Sequence, residues 1–226
     1  NIDYSDHVVQ IAYMLRYLPG YWEQIYTSLL EIHNQSKWPK SKIDQEMNPP
    51  EDDPLQNSIN KKEDFNIALF CCGPAPEIIG IVKFFEEIDY IRDLYQNINI
   101  HLFDLKVDSW KFARDIFVLN ENAMEKLSSQ NFQFFEHQLD VTDQNLNLDL
   151  KFGKQVFHIC HFQNCLNEIY HTTSKRLLIK NIYSISKLLI DSGFLIMTDR
   201  NTISSSREAC NFIAESLASN SYFEAA

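Results

Sequence analysis

Glycine is scarce in this sequence, with five residues among 226. Turns that cradle phosphate groups usually contain several closely spaced glycines, because only glycine lets the backbone approach the ligand so closely. No turn here is followed by the Lys and Ser or Thr of a P-loop, which excludes that class of nucleotide-binding protein. The sequence also lacks the G-x-S-x-G element of the hydrolase nucleophile elbow, which argues against a Ser/His/Asp hydrolase.

The sequence is also short of positive charge. Lys and Arg number 20 against 31 Asp and Glu, which gives a formal net charge of −11. A surface this acidic repels nucleic acid unless a local basic patch overrides the repulsion. Because Lys and Arg are scattered along the chain, we expect the partner to be a small molecule or a protein rather than RNA.

Long apolar runs and a disulfide pattern are both absent. No run approaches the roughly 20 apolar residues that a membrane-spanning helix requires, and the first residues show no signal-peptide pattern. The five cysteines are odd in number, and their spacing does not suggest a disulfide framework. We therefore expect a cytoplasmic protein in a reducing environment with no membrane partner.

Strands and helices alternate along the chain from Asp64. Hydrophobic residues make up 45% of the sequence, which is typical of a globular protein. Periodicity predicts strands over 66–70, 99–104, 131–137, 155–162 and 193–198. It predicts helices over 76–95, 109–120, 175–191 and 205–218. Strands separated by helices indicate an α/β, Rossmann-like fold with a mostly parallel sheet and helices on both faces.

The residues before Asp64 differ in character. Apolar residues recur at helical spacing over 4–18 and again over 21–33, with Ser5 or Asp6 as N-cap and Pro19-Gly20 as a break. This pattern predicts a helical hairpin that packs on the main domain or forms a lid or substrate-binding wall. We expect an N-terminal helical extension over 1–35, a polar linker or mobile loop over 36–63, and the Rossmann-like domain over 64–226.

The turn after the first strand is the candidate binding site. The segment FNIALFCCGPAPE runs from an apolar strand through small residues into a helix. In parallel sheets, ligands bind outside the carboxyl ends of the strands, near such a turn. Pro74 and Pro76 remove two N–H donors that a dinucleotide pyrophosphate would need, which argues against a dehydrogenase.

Two acidic residues end neighbouring strands. The carboxylate of Asp104 has two acceptor oxygens, so it could hold both hydroxyls of an adenosine ribose. A turn or capping role for Asp104 is the alternative. Asp140 could accept a hydrogen bond from the amino group of a purine, or it could serve a turn, with Asp143 as the cap instead.

Five segments in order resemble the motif set of class I S-adenosylmethionine-dependent methyltransferases. They are FCCGPAPE, HLFDLKVD, EHQLDVTD, FQNCLNE and GFLIMTDRN, spanning about 64–201. In that family the first strand runs into an acidic residue and a turn with three glycines. On this chain Leu69 falls at the acidic position, and Cys71 and Ala75 fall at two glycine positions. Only Gly73 is retained, so the glycine motif is degenerate.

The resemblance implies S-adenosylmethionine (SAM) as cofactor and assigns roles to individual residues. Asp104 would hold the ribose, Leu105 would lie against the adenine, and Asp140 would bind the adenine amino group. Asn164 would face the methionine end and the transferable methyl group, and with Glu168 it is a candidate for the catalytic site. The full set of implied cofactor-binding residues is Cys71, Cys72, Gly73, Pro74, Ala75, Asp104, Leu105, Asp140, Val141 and Asn164.

Other functions remain open at this point. Glu168, a histidine or water could take the proton of an unknown acceptor, and the candidate histidines are His137, His161 and His171. The loss of the acid and the glycines would also fit a catalytically inactive binding or scaffold subunit. A third possibility is a nucleotide-dependent oxidoreductase. A metal site is not expected.

Side chains alternate between the two faces of a strand, and this alternation argues against a metal site here. The candidate ligands, His158, Cys160, His161 and Cys165, lie in or just after the fourth predicted strand. Because successive residues of a strand point to opposite faces, these four side chains cannot converge on one ion. A nucleophilic role for Cys71 or Cys72 has no visible activating base either, so buried inert thiols are expected.

Overall fold

The computed structural model describes residues 3, 5–35, 38, 62–119, 127, 131–199 and 204–219 of the chain. Side chains at 149, 150 and 205 are outside this description. Most of the predicted linker over 36–63 therefore lies outside the described residues.

Five parallel strands form one sheet, as predicted from the sequence. The strands are β1 (Phe65–Phe70), β2 (Ile98–Asp104), β3 (Phe132–Gln138), β4 (Phe157–Gln163) and β5 (Leu189–Thr198). Their order in the sheet is β3-β2-β1-β4-β5. The chain thus builds outward from β1 to one side and then returns to build the other side. The reversal lies between β1 and β4, and the carboxyl ends of these two strands flank the position where such sheets bind ligands.

Helices connect the strands on both faces of the sheet. They are α1 (His7–Asn34), α2 (Glu77–Glu87), α3 (Asp89–Arg92), α4 (Lys111–Phe117), α5 (Asp149–Phe152), α6 (Leu166–Thr172), α7 (Lys175–Ser186) and α8 (Ser204–Ser219). A 3₁₀ turn, Val107–Trp110, precedes α4. The predicted helix over 76–95 ends at Glu87, because Ile88 leaves the helical conformation at φ −113° and ψ 61°. The predicted helix over 175–191 ends at Ser186 because β5 begins at Leu189.

Two apolar cores, one on each face, hold the layers together. Alternate residues of β1 face opposite ways: Leu69 packs in the core formed with α1, α2 and α4, and Phe70 packs in the core formed with α6, α7 and α8. Every residue of β4 is buried, which is expected of a strand covered on both faces. The described protein is therefore a three-layer α/β/α sandwich.

The predicted helical hairpin is wrong, because α1 is one continuous helix. Asp6 caps its start by accepting a hydrogen bond from the backbone N–H of Val8 at 2.8 Å. Pro19 lies inside the helix and cannot donate to the carbonyl of Leu15. Both residues are exposed, so water can satisfy that carbonyl. The helix continues because residues on both sides of Pro19, including Met14 and Ile25, are fully buried.

Candidate functional site

The turn after β1 has an unusual backbone conformation. Cys71, Gly73 and Ala75 all have positive φ, at 55°, 52° and 55° respectively. These are the three positions that the resemblance described above places at glycines of the methyltransferase motif. For residues with a Cβ this left-handed conformation costs roughly 1–2 kcal/mol each. The turn therefore holds three alternate residues in a left-handed conformation, and two of them, Cys71 and Ala75, carry a Cβ.

Asp104 faces this turn. Its Oδ2 accepts a hydrogen bond from the N–H of Gly73 at 2.9 Å, and its Oδ1 accepts one from the N–H of Lys106 at 2.8 Å. A carboxylate has about four acceptor positions, so further hydrogen bonds can still be accepted. The next residue, Leu105, is 52% exposed. Asp104 thus has the turn role that the sequence left as an alternative, and contacts of Asp104 with a ribose and of Leu105 with an adenine stay predictions.

Trp110 and Arg114 cover the turn from the side of β2. A Cβ added to Gly73 would lie 3.4 Å from the indole of Trp110, so the two residues are in close contact. Arg114 is fully buried and donates to the carbonyl oxygens of Gly73 at 3.3 Å and Val107 at 3.2 Å. It also forms an ion pair of 2.5 Å with Glu136. The turn is therefore held rigidly, and residues 72–78 are all buried.

Asp140 lies at the end of β3, beside the end of β2. Its Oδ1 accepts hydrogen bonds from the N–H of Thr142 at 2.8 Å and from the Thr142 hydroxyl at 2.6 Å. Asp140 thus has the turn role that the sequence left as an alternative. Val141 is buried, and its carbonyl oxygen accepts from the side chain of Asn181 at 2.8 Å. Binding of an adenine by Asp140 and Val141 stays a prediction.

The end of β4 is tied to α1. The side-chain nitrogen of Gln163 donates to the carbonyl oxygen of Tyr21 at 2.8 Å and to Oε1 of Gln24 at 2.9 Å. Asn164 donates to the same Oε1 at 3.2 Å, while its own Oδ1 is buried without a hydrogen-bond partner among the described residues. Its φ of 54° is again left-handed. Asn164 therefore carries a strained backbone and an unused acceptor at the switch point.

Residue Gln10 anchors the other end of α1 near β2. Its side chain hydrogen-bonds the carbonyl oxygen of Ser109 and accepts from the N–H of Ala113 at 2.9 Å. Gln10 and Gln24 are about 21 Å apart along the helix axis, at 1.5 Å per residue. Between these two anchors α1 crosses the carboxyl edge of the sheet, so it forms a wall of the candidate site.

Glu77, the first residue of α2, is a site residue whose importance the sequence did not reveal. It is 3% exposed, and its Oε2 has no hydrogen-bond partner among the described residues. The pKa of Glu77 is raised to about 8, mainly by burial; a hydrogen bond with its own backbone lowers the pKa, and the nearby Asp104 raises it. The sequence predicted Glu77 at a helix start, where a carboxylate interacts favourably with the positive end of the helix dipole. Its burial depends on the residues that follow β1, β2 and β4, which no local pattern encodes.

Two cysteines meet across the switch point. Cys71 follows β1 and Cys165 follows β4, and both are partly exposed free thiols. A hydrogen bond between the two thiols raises the pKa of Cys165, and burial raises it further. Burial raises the pKa of Cys72 as well. High pKa values mean few thiolates at neutral pH, which argues against Cys72 or Cys165 as a nucleophile.

The remaining candidates for the catalytic base, Glu168, His161 and His171, lie on β4 and α6. Glu168 is exposed on α6, and its described contact is a hydrogen bond from the Thr172 hydroxyl to its carbonyl oxygen. His161 bonds the hydroxyl of Thr198 at 2.9 Å, and burial lowers its pKa to about 3. His171 is exposed on α6. None of these contacts joins the side chains to the turn after β1, so their role as bases stays a prediction.

The potential metal ligands of β4 and its neighbours are spread through the sheet. His158 accepts a hydrogen bond from the N–H of Asn66 at 3.1 Å at the amino end of the strand. Cys160 lies in the core beneath α6, α7 and α8. His137 of β3 bonds His101 of β2 at 3.0 Å. Within the part of the chain that the structure describes, no three His, Cys, Asp or Glu side chains could hold a metal ion together.

A cavity of about 690 Å³ opens beside Asn164, between α1, the end of β5 and α8. The backbone N–H of Asn164 donates to the carbonyl oxygen of Thr198 on its wall at 2.8 Å, and Gln24 lies on the same wall. Apolar atoms make up more than half of the wall surface, but many of the lining residues have polar side chains, among them Gln24, Thr198, Asp199, Ser206 and Arg207. The cavity is large enough for a small organic molecule or a side chain of another protein.

Comparisons with known proteins give only distant structural likenesses. No protein-family model and no curated protein sequence matches the chain. A loganic acid methyltransferase with SAH shares 10% identity at a TM-score of 0.47, and 87% of this chain covers 56% of that one. DszA carbon methyltransferase shares 12% identity at a TM-score of 0.41, with 70% and 34% covered.

A third structure is a putative S-adenosylmethionine-dependent methyltransferase from Methanococcus maripaludis. It shares 13% identity at a TM-score of 0.32, with 88% of this chain and 72% of that chain covered. The chain spans little more than half of the loganic acid enzyme and a third of DszA. All three neighbours are described as methyltransferases, but likenesses this distant give no support to a particular activity of this chain.

No helix among the described residues has the length and apolar character needed to cross a membrane.

Proposed function

We propose that this chain binds SAM at the carboxyl ends of β1, β2 and β4 and transfers its methyl group to an acceptor. The observation that carries this proposal is the positive φ at Cys71, Gly73 and Ala75. Residues with a Cβ hold this conformation only where the surrounding structure enforces it, and such strain concentrates at functional sites. Retention of the glycine-type conformation without the glycines supports a turn whose shape matters for binding.

The residues at this edge fit SAM chemically. Asp104 has acceptor capacity left for ribose hydroxyls beside its bonds to Gly73 and Lys106. Glu77 and Asn164 each carry a buried oxygen without a partner among the described residues. Pro74 and Pro76 provide no N–H donors, which a ligand without phosphate does not need. Because Trp110 packs on Gly73, we expect its side chain to move when a ligand enters.

The residues of the chain would mainly bind and orient. Bound SAM supplies an electrophilic methyl group, and reaction rate then depends on how well the acceptor is positioned. The 690 Å³ cavity beside Asn164 is the proposed acceptor site. Its carboxylates, hydroxyls and Arg207 suit a polar small molecule or a protein side chain better than RNA, in keeping with the net charge of −11.

Calorimetric titration with SAM and with S-adenosylhomocysteine tests the proposal. We expect both to bind with micromolar affinity or better, and NADH not to bind. Asp104→Ala should abolish binding, while Asp108→Ala, an exposed neighbour in the 3₁₀ turn, should leave it unchanged. Absence of binding by either adenosyl ligand to the folded protein would refute the proposal, and NADH binding would favour the oxidoreductase alternative.

A second candidate is a non-catalytic binding or scaffold subunit. Burial of the turn beneath Trp110, together with Leu69 at the acidic position of the family motif, favours this alternative. If it is correct, the protein will not bind SAM, and Trp110→Ala will not create binding. Tight binding of SAM by the wild-type protein would exclude it.

A further inference from the structure

We infer that Glu77 binds the primary ammonium group at the methionine end of the ligand, at a position different from that of the missing acid. This inference rests on the proposed function. Leu69, which falls at the acidic position, has an apolar side chain that packs in the core and cannot pair with an ammonium group. Glu77 is the buried acid that the structure places at the same edge of the sheet.

The position of Glu77 supports this role. It begins α2 directly after the turn, with its side chain 3% exposed. Its carboxyl group is close enough to interact electrostatically with Asp104 at the end of β2, and with Cys72 and Cys165, which follow β1 and β4. The carboxyl group therefore lies among the ends of the three strands that form the candidate site.

Among the residues that the structure describes, no ion pair joins a cation to Glu77. Arg114, like Glu77, interacts electrostatically with Cys72. Its described hydrogen bonds go to Gly73, Val107 and Glu136. Ionising a buried carboxyl group is costly unless it meets a cation. We therefore expect a ligand to provide the cation.

The chemistry of the ligand then selects the ammonium group. SAM has two positive centres, a sulfonium and an ammonium. Only the ammonium has N–H groups to donate to an unpaired carboxylate oxygen, and Oε2 of Glu77 is such an acceptor. S-Adenosylhomocysteine keeps the ammonium and lacks the sulfonium charge, whereas 5′-methylthioadenosine lacks the whole amino-acid end. Comparing the last two ligands isolates the amino-acid contact.

A proton should leave when this contact forms. Burial raises the pKa of Glu77 to about 8, so the free protein carries this group protonated at neutral pH. Binding of an ammonium group favours the ionised form, and the proton passes to the buffer. The other titratable groups that interact with Glu77, namely Asp104, Cys72 and Cys165, are the same in every variant used below.

The test compares wild type, Glu77→Gln and Glu87→Gln by calorimetry at pH 7 in two buffers of different ionisation enthalpy. Glu77→Gln has nearly the shape of the protonated acid, so it should fold. Glu87 is an exposed control on the same helix, with 47% of its side chain accessible. We expect Glu77→Gln to weaken S-adenosylhomocysteine binding about 10- to 100-fold, as for loss of one charge-assisted hydrogen bond.

The same variant should bind 5′-methylthioadenosine with unchanged affinity, and it should lose the release of about one proton that accompanies S-adenosylhomocysteine binding to wild type. Glu87→Gln should match wild type throughout. Equal weakening of both ligands, or no weakening of either, would overturn the role of Glu77 while leaving the proposed function intact. If wild type binds neither ligand, the proposed function fails and the role of Glu77 fails with it.

Discussion

Gly80 of α2 lies directly against the backbone of Trp22 in α1. A Cβ placed on Gly80 would be 2.1 Å from the carbonyl oxygen of Trp22 and 2.6 Å from a side-chain carbon of Ile25. Contacts this short are not tolerated, and the nearest atom belongs to a helix backbone that cannot rotate away. In a chain with only five glycines, this one allows α1 to pack on α2.

The first prediction concerns this helix contact. Gly80→Ala should destabilise the protein by about 1–3 kcal/mol, because the added methyl group forces the helices apart. Gly20→Ala is the matched control, since Gly20 is an exposed residue of α1 with no atom within 4 Å of the added Cβ. Alanine should stabilise the helix there by up to ~1 kcal/mol. Urea denaturation of the three proteins measures both effects, and equal stabilities would contradict the packing.

The second prediction tests the strained turn. Ala75→Gly relieves the left-handed conformation of Ala75 but removes a buried methyl group worth about 0.8 kcal/mol. Since the strain costs roughly 1–2 kcal/mol, we expect stability within ~1 kcal/mol of wild type. Ala113→Gly removes an equally buried methyl group from helix α4 and should cost more than ~1 kcal/mol. Equal losses in the two variants would show that Ala75 is not strained.

The third prediction concerns the protonation of Glu77. Its folded-state pKa of about 8 lies above the ordinary value of 4.5, so the folded protein binds the proton more tightly than the unfolded chain does. The stability from this group is complete below pH 4.5 and is lost as pH rises toward 8, at about 1.4 kcal/mol per pH unit. Glu77→Gln should flatten this part of the stability profile. Because other groups also titrate in this range, the difference between the two profiles is the measurement, and identical profiles for wild type and Glu77→Gln would contradict the raised pKa.

The fourth prediction concerns the buried histidines and has the opposite sign. Burial lowers the pKa values of His101, His137 and His158 to about 4, from 6.5. The unfolded chain therefore binds more protons between pH 6.5 and 4, and the stability from these groups is lost as pH falls through that window. In the Glu77→Gln variant, which lacks the opposing titration of Glu77, thermal unfolding should show a lower Tm at pH 5 than at pH 7. Imidazole proton shifts measured by NMR would locate the effect, and ordinary titration near 6.5 would contradict it.

The fifth prediction concerns Arg114. This residue is fully buried, and it forms an ion pair with the partly exposed Glu136. Glu136→Gln should destabilise the protein by about 1–3 kcal/mol, because it leaves a buried guanidinium with a weaker acceptor. Lys111 and Asp115 form an exposed ion pair on α4, so Asp115→Asn should cost no more than about 0.5 kcal/mol. Similar losses of stability in Glu136→Gln and Asp115→Asn would contradict the burial of Arg114.

Sequence patterns located the sheet well because each strand is defined by local properties. β4 is apolar or uncharged throughout and buried throughout, and β1 ends in a continuous apolar run from Ile67 to Phe70. Asp104 was also identified from sequence, because it is the acid that ends β2 and it faces the turn. Its position follows from strand order alone.

Features that depend on distant contacts were missed. Pro19 suggested a break in α1, but burial of residues on both sides of it outweighs one lost hydrogen bond. Glu77 was seen as a helix-start residue because its burial depends on three other elements. Trp110 was not singled out, since nothing in its local sequence shows that it packs on Gly73. The predicted roles of Asn164 and Glu168 stay predictions.

The hydrogen bonds of Gln24 have a consequence for folding. The side chain of Gln24 hydrogen-bonds Gln163 and Asn164 at the end of β4, which follow it in the chain by 139 and 140 positions. Such a contact closes a very long loop, so it forms late, after β1 and β4 have paired. We therefore expect the N-terminal helix to be the last element to gain amide-exchange protection during refolding, which makes its docking a report that the central strands are already in register.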